Sequence, residues 1–261
     1  ALLTRTGSEL KDLTERMNCV STKMGMEISA AKSKLLVVGH SPETIEEQVE
    51  VSGEPLEQVR QFKYLGCMIQ ENGKSTAEVK IRVAMAKAAM CKLSPLWRSR
   101  KVRFRTKLLL VNSIVMSVVL YGCEAWTHNE EIEKKIKALE MWCYRRLLGV
   151  KWIDRRTNDS VRQQVEEAAG GSQRSLLEIA KTRKLRWFGH TTRHPEDLPL
   201  AYTIMHGRVD GKYRRGRPRR SWLDDVKRWT GTSVLEASRA ALDRMEWRRL
   251  THCASTDHDG L

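Results

Sequence analysis

Nine lysines and arginines fall between positions 82 and 107 with no acidic residue among them: Arg82, Lys87, Lys92, Arg98, Arg100, Lys101, Arg103, Arg105 and Lys107. A second cluster, YRRGRPRRSW at 213–222, sets Arg214, Arg215, Arg217, Arg219 and Arg220 around a Gly-Arg-Pro turn. Such groups bind phosphate oxygens: the arginine fork grips two at once, and lysine supplies a compact point charge. An exposed helix ordinarily interleaves cations with carboxylates. The acid-free run therefore reads as a surface for a duplex backbone. In the second cluster, glycine removes the Cβ that would strike a groove floor. An extended Arg-Gly-Arg-Pro segment can then lie in a narrow minor groove, whose negative potential attracts arginine.

The other reactive side chains form no comparable constellation. His190, His194, His206, His252, Cys253 and His258 lack four ligands at zinc spacing, so no metal site is expected, and His190 reads as a packed or hydrogen-bonded histidine. The cysteines at 19, 67, 91, 123, 143 and 253 contain no C-x-x-C pair and read as reduced, mostly buried thiols. Asp224 and Asp225 read as dipole partners in the first turn of a helix capped by Ser221. Tyr121, Trp126, Trp142 and Trp152 are able to stack on bases, but their spacing also suits core and helix-junction positions.

The charge is unevenly placed along the 261 residues. Residues 1–70 carry 8 basic and 10 acidic side chains, 71–171 carry 20 and 11, and 172–261 carry 19 and 11. The net charge of +15 thus belongs to the last two thirds, and the expected partner is a polyanion, nucleic acid first. The most apolar stretch, 108–120, is too short to span a bilayer and no secretory signal precedes it. The expected setting is therefore nuclear or cytoplasmic, not secreted, with no membrane partner and no small-molecule cofactor. The chain opens at Ala1 without Met, in what reads as a strand end running into a helix, which suggests a fragment.

The elements that must position these residues follow from periodicity. Ser8 is a plausible cap for a helix whose apolar face is Leu10, Leu13, Met17 and Val20. MEISAAKSKLLVVGH reads as strand, turn, strand, and VEVSG and QFKYLGCMIQENG as a second strand pair. From Ser75 the period turns helical: Val79, Val83, Ala86, Met90 and Leu93 share a face, and Pro95 ends it. A second helix, about 103–121, is apolar on nearly all sides and is expected to be buried. A third, about 129–148, places Ile132, Ile136, Leu139, Cys143 and Leu147 on one stripe. Residues 157–175 look like a linker or a loosened helix end, and helices near 176–190 and from Ser221 close the chain. The expected class is α+β and mostly α-helical, in four parts: a small antiparallel remnant at 1–73, a helical bundle at 74–156, the linker, and a basic helical region at 176–261.

Five motifs then carry a resemblance. In order, GMEISAAKSK (25–34), FKYLGCMI (62–69), LYGCEAW (120–126), LRWFGH (185–190) and GRPRRSWLDD (216–225) resemble the C-terminal half of reverse transcriptases of non-LTR, LINE-type retrotransposons. The resemblance covers essentially the whole chain. It implies that 1–73 is the end of a palm, in which Lys32 approaches the phosphates of the incoming nucleotide and helps protonate pyrophosphate. It makes Tyr64, Leu65 and Gly66 the centre of a primer-gripping hairpin, and 74–156 a thumb that holds template and primer. The family's Mg²⁺-binding aspartate pair would precede Ala1, so the chain as given is expected to bind RNA template, RNA–DNA hybrid or duplex DNA without polymerising. RRGRP also resembles an AT-hook core. That leaves open an alternative: a retrotransposon-derived, non-catalytic nuclear DNA-binding protein.

Overall fold

The computed structural model describes residues 1–38, 49–206 and 220–256. The protein is mostly helical, with short strands confined to its first part, as the periodicity predicts. It divides into two compact units, Ala1–Glu78 and Val79–Leu261.

In the first unit, α1 (Gly7–Lys23) is capped by Thr6 rather than Ser8, the Thr6 hydroxyl accepting from Glu9 N at 3.3 Å. Its expected apolar face is open: Leu13, Met17 and Val20 are exposed, and Thr14 is the buried position. Among the described residues, α1 packs chiefly on the two-residue strand β2 (Glu50–Val51), which cannot cover a stripe along four turns. The strands among the described residues form three separate pairs, one of them parallel, rather than one antiparallel sheet. β1 (Lys34–Leu35) runs parallel to β4 (Glu57–Gln58), β2 pairs with β3 (Glu54–Pro55), and β5 (Gln61–Tyr64) pairs with β6 (Cys67–Gln70). Ladders this short bury little: the buried apolar residues described here are Leu35, Val49 and Val51. The first half of MEISAAKSK contains no strand, and residues 30–32 form a 3-10 turn.

The described residues of the second unit form helices joined by turns and loops, with no strand among them. α2 (Thr76–Lys92) buries Val79, Ala86 and Met90, as their spacing predicts, and Pro95 opens the short α3 (Ser94–Arg98). α4 (Phe104–Leu110) runs through a π-helical stretch, Val111–Met116, into α5 (Ser117–Val119). This segment is less buried than its composition suggests. Leu108, Val111, Val115, Met116 and Val119 face the core, whereas Leu109 and Ile114 are exposed, because the helix lies on the bundle's surface rather than through it. α6 (Glu130–Leu148) starts where Asn129 Oδ1 accepts from Ile132 N at 2.8 Å and ends at Gly149, and all five residues of its expected stripe are buried.

Within the stretch read as a linker, residues 158–169 form α7 (Asn158–Ala169), with Thr157 as cap and Val161 and Val165 wholly buried. α8 (Leu176–Arg193) continues through WFGH instead of ending there. It serves two hydrophobic cores: Leu176, Leu177 and Ala180 pack with α2 to α7, while Leu185 and Phe188 pack with α10 (Trp222–Thr230), α11 (Val234–Leu242) and α12 (Arg244–Thr256). α9 (Pro199–His206) adds Met205 to the second core. One rigid helix therefore joins the bundle to the C-terminal region. Gly189 on α8 is required at that join, since a Cβ there would overlap the Trp247 indole.

Candidate nucleic-acid interface

The run from 87 to 107 folds onto one end of the bundle. The Trp97 indole donates to Met90 O at 2.8 Å and Lys107 Nζ donates to Trp97 O at 2.7 Å, which turns the start of α4 back against α3. α6 reaches the same end, because Arg146 Nη1 donates to Cys91 Sγ at 3.7 Å. Lys87, Lys92, Arg98, Arg100, Lys101, Arg103 and Arg105 are exposed, and Lys107 is half-buried. Among the described residues, none of these eight pairs with a carboxylate. Arg82, the first cation of the run, differs: it is buried, with its guanidinium 4.4 Å above the Tyr121 ring.

Arg146, which sequence reasoning did not single out, joins this surface. Its guanidinium lies 4.2 Å over the Trp142 ring and Lys87 Nζ lies 5.7 Å from it, so one indole anchors cations from two helices. The signal was the i, i+4 spacing of Trp142 and Arg146 on α6, which places them on one face. Beside the run, Arg105, Asn112, Gly170, Gly171 and Gln173 line a depression of about 510 Å³.

The residues named from the palm resemblance lie in the first unit. Lys32 is exposed at the end of its 3-10 turn. Tyr64, Leu65 and Gly66 form the tip of the β5–β6 hairpin and are exposed. Leu65 (φ 46°) and Gly66 (φ 82°) are both left-handed, as a two-residue connection matched to strand twist demands. Leucine seldom adopts that conformation.

The arginine-rich segment divides. Arg214, Arg215, Arg217 and Arg219 lie outside the described residues, whereas Arg220 is described, is exposed, and reaches a buried carboxylate. Its Nε and Nη2 lie 3.0 and 2.9 Å from Asp225 Oδ1, so the cation expected to meet phosphate is paired with a carboxylate here. Asp225 corrects the reading of the Asp pair. Asp224 is the ordinary capping partner, accepting from Ser221 N at 2.7 Å, but Asp225 is fully buried. Its Oδ2 takes Lys184 Nζ at 2.5 Å and His128 N at 2.7 Å, and Lys184, also fully buried, donates to Trp126 O at 2.7 Å.

The Lys184 ammonium also lies 4.4 Å from the Trp222 ring, whose indole N–H donates to Glu124 O at 2.8 Å. Arg183, next along α8, donates to Leu120 O at 3.0 Å. Three motifs distant in sequence thus converge: LYGCEAW wraps the polar centre made by the residue before LRWFGH and by GRPRRSWLDD. Burial brings Lys184 down to about 8, against the pull of Asp225. Burial, reinforced by Lys184, Arg228, Lys181 and Arg220, brings His128 down to about 3, so its ring is neutral at pH 7.

The cysteines are less buried than expected. Cys123 and Cys143 are buried, and burial pushes both thiols up to about 12, whereas Cys19, Cys91 and Cys253 are exposed. His190 is exposed too, near Trp187 and His194, instead of packed. Among the described residues, no three His, Cys, Asp or Glu side chains converge as a ligand set, and no helix is long and apolar enough to cross a membrane.

A mostly helical protein with a cation-bearing bundle end and a buried ionic centre joining its last helices is what these features define. The chain is similar to an uncharacterized transposon-derived protein of Caenorhabditis elegans, 26% identical over 236 residues that cover 87% of this chain and 82% of the relative. That likeness supports a transposable-element origin. No protein-family model matches the chain, and no solved structure does.

Proposed function

We propose that the protein holds nucleic acid by its sugar-phosphate backbone, with the bundle end formed by α2, α3 and the start of α4 as the contact surface. The parent activity is that of a non-LTR reverse transcriptase, in which this part grips template and primer or target DNA. One observation carries the reading: the cations from Lys87 to Lys107 stand at one end of a folded bundle without a carboxylate partner among the described residues. Unpaired, clustered cations repel one another and gain most from a polyanion that releases its counterions. The transposon-derived relative is consistent with this role, and the five ordered motifs supply its finer form.

The test is a salt titration of full-chain binding to duplex DNA and to RNA–DNA hybrid. Replacing Arg98, Arg100, Lys101, Arg103 and Arg105 with Ala should make the negative slope of log K against log salt shallower by about 4.5, since each phosphate contact contributes about 0.9. An unchanged slope and dissociation constant would remove this surface from the interface.

A further inference from the structure

α6 is followed by a turn built to display an aromatic. Trp152 is 94% exposed and Ile153 76%, and Trp152 is the most open large apolar side chain described. The turn beneath them is fixed from inside. Asp154 Oδ2 accepts from Lys151 N at 2.6 Å, closing a 3-10 turn, and Arg155 leaves it in the left-handed region at φ 46°. Arg156 then binds back onto α7 through Ser160 Oγ at 2.8 Å and Gln164 Oε1. Arg145 Nη2 donates to Arg156 O at 3.1 Å and to Asn158 Oδ1 at 2.9 Å. Folding gains almost nothing from an indole left in water, yet the polar contacts fix the backbone turn that carries it.

The charge around the pair selects its partner. Lys151 and Arg155 flank Trp152 and Ile153, are exposed, and pair with no carboxylate among the described residues. Of the nearby acids, Asp154 is tied to the backbone of its own turn, and Asp159 stands in the first turn of α7, where it suits the helix dipole. Arg146, at the α6 end that leads into the turn, joins Lys87 on Trp142. An aromatic face between backbone-reading cations is the arrangement that stacks an unpaired base while holding its phosphates.

Resting on the nucleic-acid reading above, we infer that Trp152 is a stacking platform for an unpaired nucleobase, with Lys151 and Arg155 on the flanking phosphates. The kind of partner is therefore a nucleic acid with a single-stranded or frayed segment, not a blunt duplex alone.

The experiment compares the full chain with Trp152→Ala, Trp152→Phe and Lys151→Ala/Arg155→Ala, using a blunt duplex, the same duplex with a single-stranded overhang, and a single strand. Thermal melts run alongside should show no loss of folding, because the side chain is solvent-facing. Trp152→Ala should weaken overhang and single-strand binding by roughly tenfold, leave blunt-duplex binding near the parent value, and keep the salt slope. Trp152→Phe should restore most of the loss, and the Lys151/Arg155 variant should reduce the single-strand slope by about 1.4.

Equal binding of Trp152→Ala and the parent to every probe overturns the inference, and so does an equal loss on blunt and overhanging duplexes. If self-association in the ultracentrifuge is what Trp152→Ala abolishes, with binding unchanged, the pair is a protein contact and the inference fails. Should the parent bind none of the probes at low salt, the nucleic-acid reading itself falls. Parent binding that responds to the five-residue Ala variant but not to Trp152→Ala overturns this inference alone.

Discussion

Two groups of cations in the second unit have the same chemistry and opposite fates. At the bundle end, the cations from Lys87 to Arg105 face water without a carboxylate partner among the described residues, whereas buried Lys184 and, from the surface, Arg220 meet on the buried Asp225. Buried charge must be paired and hydrogen-bonded or it does not stay buried. The interior group therefore belongs to folding, fastening α8 to α10 and to the 120–128 segment. The exterior group contributes little to folding and remains available. Positive charge in a sequence is thus evidence of a polyanion partner only after the interior share has been subtracted.

That contrast can be broken most strongly at Asp225. Asp225→Ala leaves Lys184 buried without its counter-charge and should cost about 3–5 kcal/mol in chemical denaturation. A loss below about 1 kcal/mol would mean the pair is not a fastener. Acid should act on the same centre through His128. Its ring binds a proton near pH 6.5 when unfolded but only near pH 3 when folded, so the unfolded chain holds more protons between those values. Stability then falls as pH drops below 6.5, by about 2 kcal/mol at pH 5, and His128→Leu should flatten that slope.

Arg220→Ala is expected to be milder, about 1 kcal/mol, because Asp225 keeps Lys184 and the His128 N–H and the Arg220 side chain is partly solvated. Smallest of all is the effect on folding of replacing Arg98, Arg100, Lys101, Arg103 and Arg105 with Ala: surface substitutions scatter within about 0.5 kcal/mol of zero, and the net change in unfolding free energy should stay below about 1 kcal/mol. If that variant melts like the Asp225→Ala protein, the two groups are not distinct.

The helical bundle was legible because its signals are local. The stripe Ile132, Ile136, Leu139, Cys143 and Leu147 and the Asn129 cap lie within about five helical turns of one another, and all behave as their spacing dictates. α7 was obscured by the Ala-Ala-Gly-Gly-Ser run, which marks only its end: Gly170 at φ 78° is the cap, and the helix before it was already amphipathic through Val161 and Val165. The face of α1 misled in the other direction, since a periodic apolar stripe states what a helix can bury and not whether a neighbour is there to cover it.

For the candidate site, exposure of the acid-free run followed from its sequence, because seven of its cations have no nearby acid with which to fold inward. Two things did not follow. Asp224 and Asp225 are adjacent, yet successive helix positions point about 100° apart, so one caps its own helix while the other enters the core. Trp152 and Trp126 are the same residue type, but one is 94% exposed and the other 2%.

The chain by itself determined where charge is dense, where helices run and what stops them, since these depend on residues within a few turns of one another. Only the tertiary structure decided which cations are neutralised, for Lys184 and Asp225 are separated by 41 residues and His128 and Asp225 by 97. Pairing across such distances is set by how helices pack around shared cores, and no local pattern encodes it.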